Sequence, residues 1–280
     1  MKKLIALLLV LVMALGMVAC TAADDATQTT PPAGDQDATE TTAAQEATDK
    51  DYVLENGKLV VGITEYAPMD YKDENGEWTG FDAELARMFA DELGVQCEFF
   101  VIADWSKKFI ELETKNIDVI WNGMTITEEV TLNTNCSDPY VLNAQVVVMK
   151  EDRIADYADT ASMSGLTVAV ENGSAGQTAA EEIEGVTTVA VADQAAALME
   201  VAAGTSDACI IDITMANAMT GEGTDYENLA QGLTLNEEKY GVGFRKGSNL
   251  TELFNQFLEE KEIDGTLEQL AKKYDLTLAE

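Results

Sequence analysis

The chain has no histidine, only 4 cysteines, 4 prolines and 3 tryptophans, and 17 lysines and arginines against 51 acids. Without histidine it lacks the commonest general base and the commonest zinc ligand, which removes nearly all zinc chemistry and much acid–base catalysis. The shortage of cations leaves a formal net charge of −34. A surface so acidic repels phosphate backbones and anionic headgroups, which argues against a nucleic-acid partner. Long apolar runs are also missing, save one at the N-terminus. The acidic turn Asp73-Glu-Asn-Gly76 lacks the alternating ligands of an EF-hand loop, so it reads as a hairpin turn centred on Asn75-Gly76.

What is present begins with an address. Met-Lys-Lys, an apolar run from Leu4 to Val18 and Ala19-Cys20 form the charged, apolar, small pattern of a secretory signal. The run is too short to span a bilayer comfortably. Met17-Val18-Ala19-Cys20 resembles a bacterial lipobox, so residues 1–19 are expected to leave and Cys20 to carry the lipid that holds the protein to a membrane surface. Cys97, Cys136 and Cys209 then remain, an odd number that gives no complete disulfide framework. Residues 20–51 are mostly Thr, Ala, Asp, Glu, Gln and Pro without a large apolar side chain, and read as a disordered acidic tether.

Beyond the tether, strand-like and helical stretches alternate, the mark of an α/β architecture. Leu59–Ile63 reads as a buried strand, and Phe81–Leu93 as a helix with Leu85, Phe89 and Leu93 on one face. Strands follow at Gln96–Ile102 and Ile117–Trp121, around a helix through Phe109–Leu112. After Ser164-Gly165 come a strand at Leu166–Val170, a helix at Ala175–Ile183, a strand at Thr187–Val191, a helix at Gln194–Ala202 and a strand at Ala208–Asp212. Asn249–Tyr274 reads as helical, with Asn249 and Glu252 as a variant capping box. Tyr140–Met149 and Lys239–Phe244 are extended.

Five separated motifs in this order, between residues 59 and 274, resemble the extracellular amino-acid-binding proteins of ABC importers, the family 3 type of solute-binding protein. They are Tyr66-Ala-Pro-Met-Asp-Tyr71, Gly80-Phe-Asp-Ala-Glu-Leu-Ala86, a signature from Asn122-Gly-Met-Thr-Ile-Thr127 to Ser137-Asp-Pro-Tyr140, Ala208-Cys-Ile-Ile-Asp212, and Tyr240-Gly-Val-Gly-Phe-Arg-Lys-Gly247. The resemblance implies a two-lobed, type II periplasmic-binding-protein-like fold, with a cleft between lobes joined by two crossing strands. Residues 52–143 and 240–280 would form lobe 1, and 144–239 lobe 2.

It also implies a binding site. Tyr66 and Trp105 match aromatic positions that cover opposite faces of the ligand. Thr125, the backbone at Gly123 and the N–H groups of the Gly173-Ser174-Ala175-Gly176 loop match donors to a ligand carboxylate, against plain readings of Thr125 as a helix cap and of the loop as a turn. Asp212 matches the partner of an α-amino group, and Asn122 would place an amide in the cleft. Trp121 should point the other way, into the core.

One position departs from the pattern. Where the family carries an arginine that grips the ligand's α-carboxylate, this chain has Val130, and Glu171 stands where some members have lysine. Two expectations follow: Lys107 or Lys108 enters the cleft and the ligand is still an amino acid, or the ligand lacks the carboxylate and is cationic or neutral, an amine suiting Asp212, Glu171, Glu65 and the two rings. The expected protein is a monomer that needs no metal or cofactor. It would present a small polar ligand to an ABC permease at the extracytoplasmic face of the membrane. A related dehydratase enzyme such as a cyclohexadienyl dehydratase would need the missing arginine and a poised acid or base; a sensor that has lost transport is a further alternative.

Overall fold

The computed structural model describes residues 48–279. The signal-like segment, Cys20 and the tether as far as residue 47 lie outside the described residues. In chain order the first elements are α1 (Asp49–Asn56), β1 (Lys58–Ile63), β2 (Tyr71–Lys72), β3 (Trp78–Thr79), α2 (Phe81–Leu93), β4 (Gln96–Val101), α3 (Lys108–Glu113), β5 (Val119–Ile120), α4 (Glu128–Asn133) and β6 (Asn135–Cys136). A long strand, β7 (Val141–Lys150), leads to β8 (Thr167–Glu171), α5 (Ala175–Glu181), β9 (Thr187–Val191), α6 (Gln194–Ala203), β10 (Ala208–Asp212) and α7 (Ile213–Met219). The return runs through β11 (Leu229–Tyr240) to β12 (Gly243–Phe244), α8 (Leu250–Ile263) and α9 (Thr266–Lys273).

Two five-stranded sheets result, ordered β4-β1-β5-β12-β6 and β11-β7-β10-β8-β9. β12 closes the first sheet antiparallel to β5, so the C-terminal segment returns to the N-terminal body. β7 and β11 pair antiparallel from Val141 opposite Tyr240 to Lys150 opposite Leu229, with two register shifts. This ribbon is the bridge between the lobes. Its length was not legible in the sequence, where only Lys239–Phe244 reads as extended on the return.

Packing follows the apolar patterns. β1 buries Leu59 to Ile63 in succession because helices cover both faces of a parallel sheet. α2 spans the residues that its period suggested and ends at Gly94 in the left-handed region, φ 75°. Trp121 is fully buried, its ring 4.7 Å from Phe254, and so points into the core. Gly76 (φ 81°) turns the β2–β3 hairpin, and Asp73 Oδ1 accepts the Asn75 and Glu77 N–H groups at 2.8 and 2.9 Å.

Two expectations need correction. The tether does not run to Asp51: α1 begins at Asp49 with a capping box between Thr48 and Asp51, and Val53 is fully buried. The reason is remote in sequence. Arg245 meets Asp49 at 3.0 Å and Asp118 at 3.1 Å, and its other nitrogen donates to the Leu112 and Ile117 carbonyls. The terminal helix is also broken, because Gly265 at φ 79° sits between α8 and α9. Asn249 makes no capping box; its Oδ1 instead accepts the Lys50 N–H at 3.1 Å.

Candidate functional site

A cavity of about 260 Å³ lies between the two sheets. All seven residues singled out in the sequence, Tyr66, Trp105, Asn122, Gly123, Thr125, Ser174 and Asp212, line it. They do not face it with equal freedom. Tyr66 follows the end of β1, buried, with its hydroxyl hydrogen-bonded to Thr214 and Tyr240. Trp105 opens a one-turn 3₁₀ helix capped by Asp104, which accepts the Ser106 N–H at 3.1 Å. The two rings give the cavity its apolar walls.

Asn122 lines the cavity, but its amide is fully committed. Its Oδ1 accepts the Thr64 N–H and hydroxyl at 3.0 and 2.6 Å, and its Nδ2 donates to the Thr64 carbonyl at 3.1 Å and to Asp70 at 2.8 Å. That exhausts two donors and two lone pairs. Gly123 is likewise engaged, its N–H donating to Asp82 at 2.6 Å. Its φ of 54° suits glycine, and a Cβ there would meet the Tyr66 ring at 2.5 Å. The expectation of free polar groups at Asn122 and Gly123 is therefore corrected: both shape the floor from within.

Thr125 Oγ1 donates to Glu238 at 2.9 Å, and the cap of α4 is Thr127, not Thr125. The loop before α5 was expected to offer a cradle of N–H groups. In the structure Gly173 N–H is taken by Gln177 at 2.7 Å, Ser174 N–H by the Glu171 carbonyl at 3.2 Å, and Ser174 Oγ caps Gln177. The local cap takes the Gly173 and Ser174 N–H groups and leaves those of Ala175 and Gly176 at the start of α5.

Asp212 ends β10 with its carboxylate inside the cavity. Oδ1 accepts from Gln145 at 2.7 Å and from Asn143, and Oδ2 accepts from Gln194, which leaves Oδ2 room for another donor. Burial, with Glu238 nearby, pushes its carboxyl up to about 7 despite these donors. Gln145 and Gln194 were missed in the sequence. The signal was there for Gln145: with Asn143 it places two amides two residues apart, hence on one strand face, in an otherwise apolar run.

The opposite wall holds the cavity's only lining cation among the described residues. Lys108 is 4 % exposed and its Nζ donates to the Gly173 carbonyl at 2.9 Å and the Trp105 carbonyl at 3.4 Å, over the Trp105 and Phe109 rings. Burial pulls its ammonium below the usual lysine value, opposed by Glu129, Glu171 and Asp104. Lys107 is exposed and Glu65 is exposed, and neither lines the cavity. Val130 is 3 % exposed and packs with Met124, Trp105 and Leu112. Lys108 and Asn172, whose Nδ2 donates to Asp104 at 3.0 Å, tie the two sides of the cleft together at its mouth.

Two five-stranded sheets, two strands of the second that run back to the first, and a cavity at their junction make a two-lobed binding fold. The family model of the bacterial extracellular solute-binding proteins, family 3, matches residues 59–277. The chain belongs to that family. As a family 3 protein it is 31% identical over 222 residues to the lysine/arginine/ornithine-binding periplasmic protein of Escherichia coli strain K12, covering 75% of this chain and 84% of that one. Among solved structures, an ancestral arginine-binding protein bound to arginine has a TM-score of 0.73 at 32% identity, covering 78% of this chain and 98% of its own. An ancestral amino-acid-binding protein described as a precursor of cyclohexadienyl dehydratase matches at 0.73 and 31%, covering 80% and 98%. These family 3 relatives are binding proteins and not enzymes, and the homologues act in periplasmic or extracellular space.

Proposed function

We propose that this protein captures a basic amino acid in the cleft and presents it to an ABC permease, anchored outside the cell membrane through lipid on Cys20. The observation that carries the reading is that Lys108 and Asp212 line one cavity. A zwitterionic ligand needs an anchor for its carboxylate and another for its amine. Lys108 supplies the positive one that Val130 cannot, and Asp212 the negative one. Tyr66 and Trp105 supply apolar cover for an aliphatic or planar side chain. Relatives that bind lysine, arginine and ornithine, or arginine, support the ligand class, and the signal-like N-terminus supports the anchor.

Closure about the β7–β11 ribbon would bury the ligand and mark occupancy for the permease. The reading is tested by calorimetric titration of the purified mature chain with lysine, arginine, ornithine, histidine, cystine and the corresponding decarboxylated amines. Saturable binding of a basic amino acid, much tighter than its amine, is expected. Binding of the amine alone would show that the carboxylate anchor is not used, and silence across the panel would reject the reading.

A further inference from the structure

Glu171 is the site residue that the zwitterion leaves unexplained. It ends β8, is 3 % exposed and lines the same cavity as Lys108 and Asp212. Its Oε1 is buried without a hydrogen-bond partner among the described residues. A buried acceptor in that state is costly, and a native structure retains one where something else completes it. The surrounding charges do not complete it. Asp212 and Asp193 face it with like charge, from the end of β10 and the start of α6; Lys108 is the one opposing cation, and Nζ is turned to the Gly173 and Trp105 carbonyls.

Charge counting across the cavity points the same way. A neutral amino acid would satisfy Lys108 with its carboxylate and Asp212 with its amine, and would leave Glu171 buried beside a second acid. A ligand with an additional cation supplies the missing donor. We propose that Glu171 is the specificity-determining residue that selects a positively charged side chain, its vacant Oε1 accepting an N–H from the ligand's ammonium or guanidinium group. This deepens the basic-amino-acid reading and rests on it.

A consequence distinguishes this role from a merely structural one. Burial and the neighbouring acids hold the Glu171 carboxyl well above the ordinary glutamate range, which favours its protonated form in the empty cleft. A cationic ligand favours the ionised form, so binding sends that proton to solvent, whereas a neutral ligand does not.

The test compares L-arginine with L-citrulline, and L-lysine with L-norleucine, pairs that differ chiefly in side-chain charge. Each is titrated calorimetrically into the wild-type mature chain, Glu171→Gln and Glu171→Lys, in two buffers of different ionisation enthalpy to count protons released. The wild type should prefer the charged member at least 100-fold and release protons on binding it. Glu171→Gln should lower the preference to under tenfold with less proton release, and Glu171→Lys should reverse it. Melting curves confirm that each variant is folded. An unchanged preference in Glu171→Gln overturns the proposal, as does an equal loss for both members of a pair, which would mean that Glu171 acts only by positioning Lys108. A wild type that binds neutral amino acids as well as basic ones overturns the proposal while leaving the zwitterion reading intact; one that binds no amino acid overturns both.

Discussion

Two pairs of buried carboxylates sit on opposite sides of the cavity wall, and their partners differ in kind. Asp70 and Asp82 are fully buried behind Asn122 and Gly123 in the first lobe. Asp82 accepts the Tyr140 hydroxyl at 2.8 and 2.9 Å and the Gly123 N–H at 2.6 Å, and Asp70 accepts the Asn122 amide. Asp82 and Asp70 Oδ2 are turned to the chain itself and hold the binding loop in shape, while Asp70 Oδ1 is buried without a partner among the described residues. Asp212 and Glu171 are equally buried but open onto the cavity, with acceptor capacity left over. Neither burial nor an unused acceptor alone therefore marks a ligand contact; what separates the second pair is that it lines the cavity.

The sharpest way to break this contrast is to remove one acid from each pair. Asp82→Ala leaves the Tyr140 hydroxyl and the Gly123 N–H without their acceptor and opens a void, and should cost about 2–4 kcal/mol of stability in urea unfolding. Asp212→Asn keeps the acceptor that Asn143 and Gln145 use but turns an amide N–H toward the Gln194 donor, so it should cost about 1–3 kcal/mol of stability and weaken binding of a basic amino acid by about 2–4 kcal/mol in the calorimetric titration. If Asp82→Ala leaves the unfolding midpoint in place, the structural reading of the inner pair is wrong.

A smaller effect isolates the cation. Lys108→Met should lower affinity for the amino acid by about 1.5–3 kcal/mol, the range for a hydrogen bond to a charged group, and spare the matching amine, which has no carboxylate to lose. Adding Val130→Arg to that variant should restore part of the loss. Failure of both changes to discriminate acid from amine would mean that the carboxylate is held elsewhere.

The pH dependence of stability tests the same carboxyls together, and its sign is fixed by their being raised. Asp212 at about 7 and Asp70, Asp82 and Glu171, all above their ordinary range by burial, hold protons in the folded state that the unfolded chain releases near pH 4. Between about pH 4 and 7 the folded state binds more protons, so stability is greatest at the acid end and falls as pH rises. The empty protein should melt at a lower temperature at pH 8 than at pH 5. A saturating cationic ligand should offset part of that fall, because it favours the ionised carboxylates.

Much of this molecule can be read from its residues. Strands and helices whose apolar residues recur with a clear period, such as β1 and α2, lie where that period places them. The site positions also converge on one cavity. What could not be read was direction. Asn122 and Ser174 are polar residues beside the cleft in either account, and only the third dimension shows that Thr64, Asp70 and Gln177 occupy their hydrogen-bonding groups. α1 was hidden for a similar reason: Asp49, Lys50 and Asp51 look like more tether until Arg245, nearly two hundred residues later, meets Asp49. Lys108 enters the cleft and Lys107 does not because one helical step turns a side chain by about a hundred degrees.

Glu238 lies on the return strand of the bridging ribbon, where its Oε2 gathers Thr125 from the first lobe and Asn143 and Gln145 from the outgoing strand. Gln145 in turn reaches Asp212. The Thr125–Glu238 hydrogen bond is therefore a contact between the ribbon and the first sheet's side of the cleft that any parting of the lobes there would break.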